Sequence, residues 1–189
     1  GASDFGLYNI VGSIITMLNI VSVAMCTTTR RFLNVEMGKP NGNLNKIFNL
    51  CLAQHIVLAF ILLIIAESLG LWYIHNYLNV SPDKINDAYY VFHISTIVAC
   101  IGIVNVPYQS VIEAYEKFST TAKVDIIIAI IKLLLILSLL IYDGNKLRYY
   151  AIIMCVTSLC SFLLFHGVTY KIVPQTVKLR WYFDKHIHK

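Results

Sequence analysis

The sequence predicts an all-α, polytopic transmembrane helix bundle with five spanning helices, and three observations carry that prediction. Hydrophobic residues make up 58% of the 189 and charged residues only 13%, against about 25% charged in soluble domains; mean hydropathy is +0.69. The apolar residues come in blocks and not in the amphipathic period of surface helices. Five blocks reach the ~20 helical residues that a hydrocarbon core of about 30 Å requires: 9–28, 47–74, 86–114, 122–142 and 149–172. Residues 1–172 therefore read as a membrane bundle and 173–189 as a basic, aromatic cytoplasmic segment. The first block follows only Gly1 to Tyr8, with no start methionine, so the chain reads as a window cut from a longer protein.

The net charge of +5 is unevenly placed. Eleven of the 15 lysines and arginines fall in alternate loops: Arg30, Arg31, Lys39 and Lys46; Lys117 and Lys123; and Lys171, Lys178, Arg180, Lys185 and Lys189. The positive-inside rule makes these loops cytoplasmic, with the N-terminus of the chain outside and the C-terminus inside. Such segregation is not a nucleic-acid footprint. The longest loop, about 18 residues, separates the first two blocks.

In the first block, Asn9, Gly12, Thr16 and Asn19 are spaced i, i+3, i+7, i+10 and share one helical face. Such a stripe either lets a second helix approach closely or forms the polar wall of a cavity, where Asn19 is a candidate substrate contact. It holds no titratable group and carries no proton. The second block is longer than a bilayer requires, so its inner end projects or tilts. Gln54 and His55 fall in its cytoplasmic third, Glu67 in its outer third, and Trp72, Tyr73, His75 and Tyr77 at the outer headgroup level. Glu67 either snorkels to the nearby interface or couples an ion.

Ser81-Pro82-Asp83 opens the third helix with an N-cap, a proline at N1 and an acid in the first turn. Pro107 interrupts that helix as a static kink or a mobile hinge, and Asn105 is close enough to satisfy a freed backbone group. Lys132 lies near the middle of the fourth block, where an unpaired cation costs a few kcal/mol or more. Asp125 is seven residues earlier on the same face, about 10 Å away by helix rise. Lys132 therefore needs a partner on another helix, a water-filled cavity or an anionic substrate, and Asp125 joins Glu67 as an ion-coupling candidate. The fifth block has a middle rich in Cys155, Thr157, Ser158, Cys160 and Ser161, which reads as a helix-packing face, and ends near an interfacial His166. Residues 171–189 are suited to rest on an anionic inner leaflet as an interfacial helix.

The five cysteines, Cys26, Cys51, Cys100, Cys155 and Cys160, lie within or at the edges of apolar blocks without CxxC spacing. They read as small packed hydrophobes, with no disulfide framework and no metal site. The sequence has no GxxxxGK[ST] phosphate loop, HExxH, GxSxG or acidic run for a metal-bound sugar nucleotide. No enzyme activity and no cofactor are expected, and no channel filter is visible.

Several segments resemble a known family. Asp4-Phe5-Gly6-Leu7-Tyr8-Asn9, Arg30-Arg31-Phe32-Leu33-Asn34, Leu69-Gly70-Leu71-Trp72-Tyr73-Ile74, Asn105-Val106-Pro107-Tyr108 and Glu113-Ala114-Tyr115-Glu116-Lys117 look like polysaccharide-repeat flippases. These belong to the multidrug/oligosaccharidyl-lipid/polysaccharide exporter superfamily. The resemblance implies twelve to fourteen helices in two pseudo-symmetric bundles, of which this chain would be the second to sixth helices. It implies a bacterial inner-membrane protein that moves an undecaprenyl-pyrophosphate-linked oligosaccharide outward by alternating access, for O-antigen or capsule synthesis. Its partners would be that lipid-linked oligosaccharide, membrane lipids and other polysaccharide assembly proteins.

On that implication, Lys132 and amides such as Asn19 and Asn105 would replace the hydration of the pyrophosphate and glycan. Arg30 and Arg31 would sit at the cytoplasmic mouth, as pyrophosphate contacts or as positive-inside anchors. The same architecture also serves cation-coupled drug or metabolite antiporters. A membrane glycosyltransferase or polymerase would need long carboxylate-rich loops, which this chain lacks.

Overall fold

The computed structural model describes residues 22–77 and 84–182. Every regular element among them is helical. Helix α1 covers 22–37 as far as it is described. Helix α2 (Leu44–Ile65) passes through a π-helical turn, Ala66–Gly70, into α3 (Leu71–Tyr77). Then come α4 (Ile85–Ala114), α5 (Phe118–Leu137) closed by a 3-10 turn at Ser138–Leu140, α6 (Lys146–Ile172) and the short α7 (Pro174–Val177).

Three of these helices are long and apolar enough to cross a membrane: Leu44–Asn76, Ile85–Ala114 and Lys146–Ile172. At 33, 30 and 27 residues they exceed the ~20 residues a bilayer core needs, which leaves room for tilt or for ends in the headgroups. The five expected spans are thus three among the described residues. Helix α5 carries Lys123, Asp125 and Lys132 within 20 residues, and these charges break its apolar run. Most of the first block lies outside the described residues, Asn9, Gly12, Thr16 and Asn19 included, as does Ser81-Pro82-Asp83.

The connection from α1 to α2 is only residues 38–43, because α1 continues to residue 37. Three groups pin it. The Asn43 side chain caps α2 by accepting from the Lys46 N–H at 2.9 Å. Glu36 accepts from Lys39 Nζ at 2.6 Å and from the Asn43 N–H at 2.9 Å. The Lys39 hydrogen bond first, and the Asn43 N–H second, hold the Glu36 carboxyl below its ordinary range. A Cβ at Gly42 would overlap the Glu36 carbonyl, so the turn requires glycine there.

Helix α4 is the central element, with its most extensive contacts to α6 and then to α2. Its start is clamped to the start of α6. Arg148 Nε donates to Asp87 Oδ1 at 2.6 Å, Asn145 Nδ2 donates to Asp87 Oδ2 at 2.6 Å, and the Arg148 guanidinium lies 5.3 Å from the Tyr90 ring centre. Asn145 also caps α6 through the Arg148 N–H. Near the far end of α4 sits the buried core, built from Leu33, Phe48, Leu52, Tyr108, Val111, Ile112, Val124, Phe165 and Val177. Tyr108 meets Phe48 and Phe162 edge-on, at ring separations of 5.3 and 5.7 Å.

The hydroxyl-rich middle of α6 faces α4, where Ser158 Oγ donates to the Val98 carbonyl at 3.4 Å. Thr169 Oγ1 lies 2.5 Å from the Phe165 carbonyl and 3.4 Å from that of Tyr108. Small polar residues at such seams satisfy one another where no water is at hand. Helix α4 runs unbroken through Pro107, whose ring is fully buried. Opposite the packed faces, Ile152, Val156, Leu159 and Leu163 form an exposed apolar stripe on α6, and Val57, Phe60, Ile61 and Ile64 another on α2. Contiguous apolar surface of this kind belongs against hydrocarbon.

Two details concern the ends of these helices, and the second differs from the sequence expectation. Gly70 closes the π-helical turn against α4, where a Cβ would overlap the Phe92 ring. Beyond α6, the described residues of the 171–189 segment form no continuous interfacial helix: α7 stops at Val177, and residues 178–182 run without helix along the start of α2. Asn45 Nδ2 reaches the carbonyls of Thr176 at 2.9 Å and Lys178 at 2.7 Å. Asn49 Oδ1 accepts from the Arg180 N–H at 3.0 Å, and Tyr182 donates to Asn45 Oδ1 at 2.8 Å. These carbonyls and amides have lost their helical partners, and two asparagines on α2 replace them. Trp181, 93% exposed, is left free of that strap.

Candidate functional site

Between α1 and α4 lies a cavity of about 470 Å³, lined by Ser22, Val23, Cys26, Thr27 and Arg30 on one side and Gly102, Asn105, Val106, Gln109 and Glu113 on the other. Helix spacing builds both walls. Gly102, Asn105, Gln109 and Glu113 are spaced i, i+3, i+7, i+11 along α4 and so share one face. Cys26 and Arg30 are four apart on α1. The absence of a side chain at Gly102 leaves its wall open, with no atom near enough to meet an added Cβ.

The electrostatic centre of the cavity is an ion pair. Arg30 Nη1 donates to Glu113 Oε2 at 2.9 Å. Gln109 Nε2 donates to Glu113 Oε1 at 3.1 Å, and the Cys26 thiol points to Oε2 at 3.7 Å. Ser110 Oγ, bonded to the Val106 carbonyl at 2.8 Å, lies 3.3 Å from Cys26 Sγ and ties α4 to α1. The side chains of Arg30 and Glu113 are 34% and 14% exposed. The pair is thus partly desolvated, yet its guanidinium is still reachable. Arginine presents several donors in a planar fork, and Glu113 engages only one end of it.

Asn105 sits between the cavity and α6. Its Nδ2 donates to Ser161 Oγ at 3.4 Å and not to backbone freed by Pro107. Its Oδ1 is buried with no hydrogen-bond partner among the described residues. A buried acceptor left without a donor costs about 1–3 kcal/mol.

A second polar cluster lies near the opposite end of α4. Glu67, on the π-helical turn, approaches His93 of α4 with Nδ1–Oε distances of 2.8 and 3.0 Å. Tyr89 and His75 meet at 3.4 Å nearby. A π-helical turn adds one residue to the helical register and is frequent at functional sites; here it accompanies a carboxylate aimed at a neighbouring helix.

The remaining candidates are scattered. Arg31, next to Arg30, is exposed and does not line the cavity. Asp125 is exposed on α5, within electrostatic reach of Glu113. Lys132 is half-buried on α5, outside the cavity lining, and forms no hydrogen bond or ion pair with a described residue. Asn19 lies outside the described residues. Glu113, Gln109, Cys26 and His93 were not anticipated as site residues. For the first three the signal was present. The spacing of Asn9, Gly12, Thr16 and Asn19 continues in step at Val23, Cys26 and Arg30, and Asn105 begins the i, i+4, i+8 series with Gln109 and Glu113.

Among the described residues such a cavity offers one cation, one carboxylate, two amides, two hydroxyls and a thiol. It is suited to hold a polar, charged group. The chain matches no protein-family model, and no curated protein or solved structure matches it.

Proposed function

We propose that this chain is part of a membrane transporter that carries a lipid-linked oligosaccharide diphosphate, with the cavity between α1 and α4 as the seat of the charged group. The observation that carries the reading is Arg30, a reachable guanidinium in a cavity that Gln109 and Asn105 also line, against the membrane-length helix α4. A diphosphate takes paired N–H donors from arginine. Glycan hydroxyls would meet the polar side chains that line the cavity, while the prenyl tail stays against the apolar stripes. On this reading the first block and α5 also cross the bilayer, which gives five spans in a larger two-bundle transporter of a bacterial inner membrane. Arg30 would then sit at the cytoplasmic side, by the positive-inside rule.

Glu113 favours a second reading. A carboxylate in the cavity wall is what a cation-coupled drug or metabolite antiporter would use to hold a cationic substrate. The two readings predict opposite ligands. With the protein in lipid nanodiscs, a short-chain prenyl-diphospho-N-acetylglucosamine is expected to bind with a Kd in the micromolar range, about −8 kcal/mol. Tetraphenylphosphonium is expected not to bind. Binding of the phosphonium cation without the diphosphate would replace the flippase reading with the antiporter.

A further inference from the structure

We infer that residues 178–182 form a fixed docking strip for anionic phospholipid headgroups, held against the start of α2 so that Lys178, Arg180 and Trp181 meet the membrane surface as one unit. The strip is independent of what the cavity binds.

Its depth follows from the helices that hold it. One membrane-length helix ends at Ile172 and another begins at Leu44. Between them α7 is anchored inward: Val177 joins the core cluster that contains Phe48, and the Thr176 hydroxyl meets that of Tyr115 at 3.0 Å. The strip then passes Asn45 and Asn49, which are one turn apart, or about 6 Å along the axis. It therefore lies beside the ends of two spanning helices, at the level of the headgroups.

A non-helical chain at that depth must find partners for its peptide groups, and α2 supplies them. The Lys178 carbonyl accepts from both Asn45 Nδ2 at 2.7 Å and Asn49 Nδ2 at 3.0 Å. The Arg180 N–H donates to Asn49 Oδ1 at 3.0 Å, and the Tyr182 hydroxyl to Asn45 Oδ1 at 2.8 Å. With these backbone groups engaged on α2, the side chains of Lys178, Leu179, Arg180 and Trp181 all remain exposed, Leu179 by 66% and Trp181 by 93%.

The chemistry of that surface selects its occupant. Lys171, Lys178 and Arg180 are exposed, and no acid occurs in 166–182 or in 44–65. Glu36, just before the turn into α2, is already engaged by Lys39 and the Asn43 N–H. Cations interleaved with a leucine and a tryptophan suit a surface that is anionic at the phosphates and apolar just beneath them. The indole settles at the interface while Lys and Arg hold the phosphates. An acidic soluble protein would satisfy the cations but would have to cover Leu179 and Trp181 at headgroup depth.

The test uses a Trp72→Phe protein in phosphatidylcholine vesicles, so that Trp181 is the only tryptophan. Spin-labelled phosphatidylglycerol and equally labelled phosphatidylcholine are added separately at the same mole fraction, and quenching of Trp181 gives their relative affinity. Phosphatidylglycerol is expected to be preferred by about tenfold, since each Lys or Arg near the surface contributes about fivefold. Lys178→Gln/Arg180→Gln should bring the two lipids within about twofold. Asn45→Leu/Asn49→Leu keeps both cations but releases the strip, and should lower the preference by about threefold or more.

Equal quenching by the two lipids in the parent protein, or a preference unchanged by loss of Lys178 and Arg180, would overturn the inference. A preference intact without the two asparagines would reduce the strip to a loose basic tail and overturn it as a fixed site. Quenching by iodide in the water, with none by either lipid, would turn Trp181 toward a soluble partner instead. The parent protein and the charge variant decide the matter if the asparagine variant does not fold. No glycolipid is present, so every outcome leaves the reading of the cavity untouched.

Discussion

Phe48→Ala is expected to destabilise the helix bundle by about 3–5 kcal/mol, the cost of removing a fully enclosed aromatic ring. Phe48 is 0% exposed and lies edge-on to Tyr108 at 5.3 Å, in the cluster that joins α1, α2, α4, α5, α6 and α7. No neighbouring helix can close the gap without moving α4, because Tyr108 is held from its other side by Phe162 and His166. Phe48→Leu keeps most of the volume and should cost about half as much or less. Thermal unfolding in detergent, followed by helical circular dichroism, checks both. Equal, small effects of the two substitutions would mean that this cluster does not anchor the bundle. The same core carries the site, since Leu33 on α1 and Val111 on α4 belong to it and fix the two walls of the cavity within one turn of Arg30 and Glu113.

Arg30→Gln is expected to weaken diphosphate binding by about thirtyfold or more, while Arg31→Gln changes it by less than about threefold. The two residues are adjacent in the sequence and equivalent by charge. Only Arg30 lines the cavity, and a desolvated charge contact is worth about 2 kcal/mol or more, whereas an exposed one is worth a fraction of that. Arg30→Gln also leaves Glu113 without its cation, so binding is compared with that of the double variant Arg30→Gln/Glu113→Gln. The double variant removes the stranded carboxylate but does not restore the guanidinium, and weak binding should persist in it. Titration of the fluorescence of a labelled prenyl-diphospho-sugar gives the Kd values. Equal losses from Arg30→Gln and Arg31→Gln would mean that the two arginines act only as a positive surface.

Much of the helical frame was legible in the sequence because length and hydropathy are local properties. The stretches that became Leu44–Asn76, Ile85–Ala114 and Lys146–Ile172 contain three of the expected blocks, at 47–74, 86–114 and 149–172. The 122–142 block is not among the membrane-length helices, because Lys123, Asp125 and Lys132 all fall inside it and inside α5. Pairings across the fold were not legible. Arg30 and Glu113 are 83 residues apart, and Glu67 and His93 are 26 apart, and no periodicity reports which helices become neighbours.

Glu113 stands in the sequence only as part of the family-like segment at 113–117, one residue from the end of the 86–114 block, and nothing local to it marks a partner on α1. Its register with Asn105 and Gln109 was the available clue. The strap over residues 173–182 was hidden for another reason. It depends on backbone carbonyls meeting Asn45 and Asn49, and every sequence has carbonyls everywhere.

The proposed transport requires an anion in the cavity that Arg30 and Asn105 line, and Cys26 reports on that space directly. It lines the same cavity, and the other free cysteines, Cys51, Cys100, Cys155 and Cys160, do not. In a protein with those four replaced by alanine, the rate at which a small maleimide labels Cys26 would be measured with and without saturating prenyl-diphospho-N-acetylglucosamine. Occupancy of the cavity predicts that labelling slows by about tenfold or more, with the unphosphorylated prenyl alcohol giving no protection. An unchanged labelling rate while the probe is demonstrably bound would place the anion elsewhere and contradict the account.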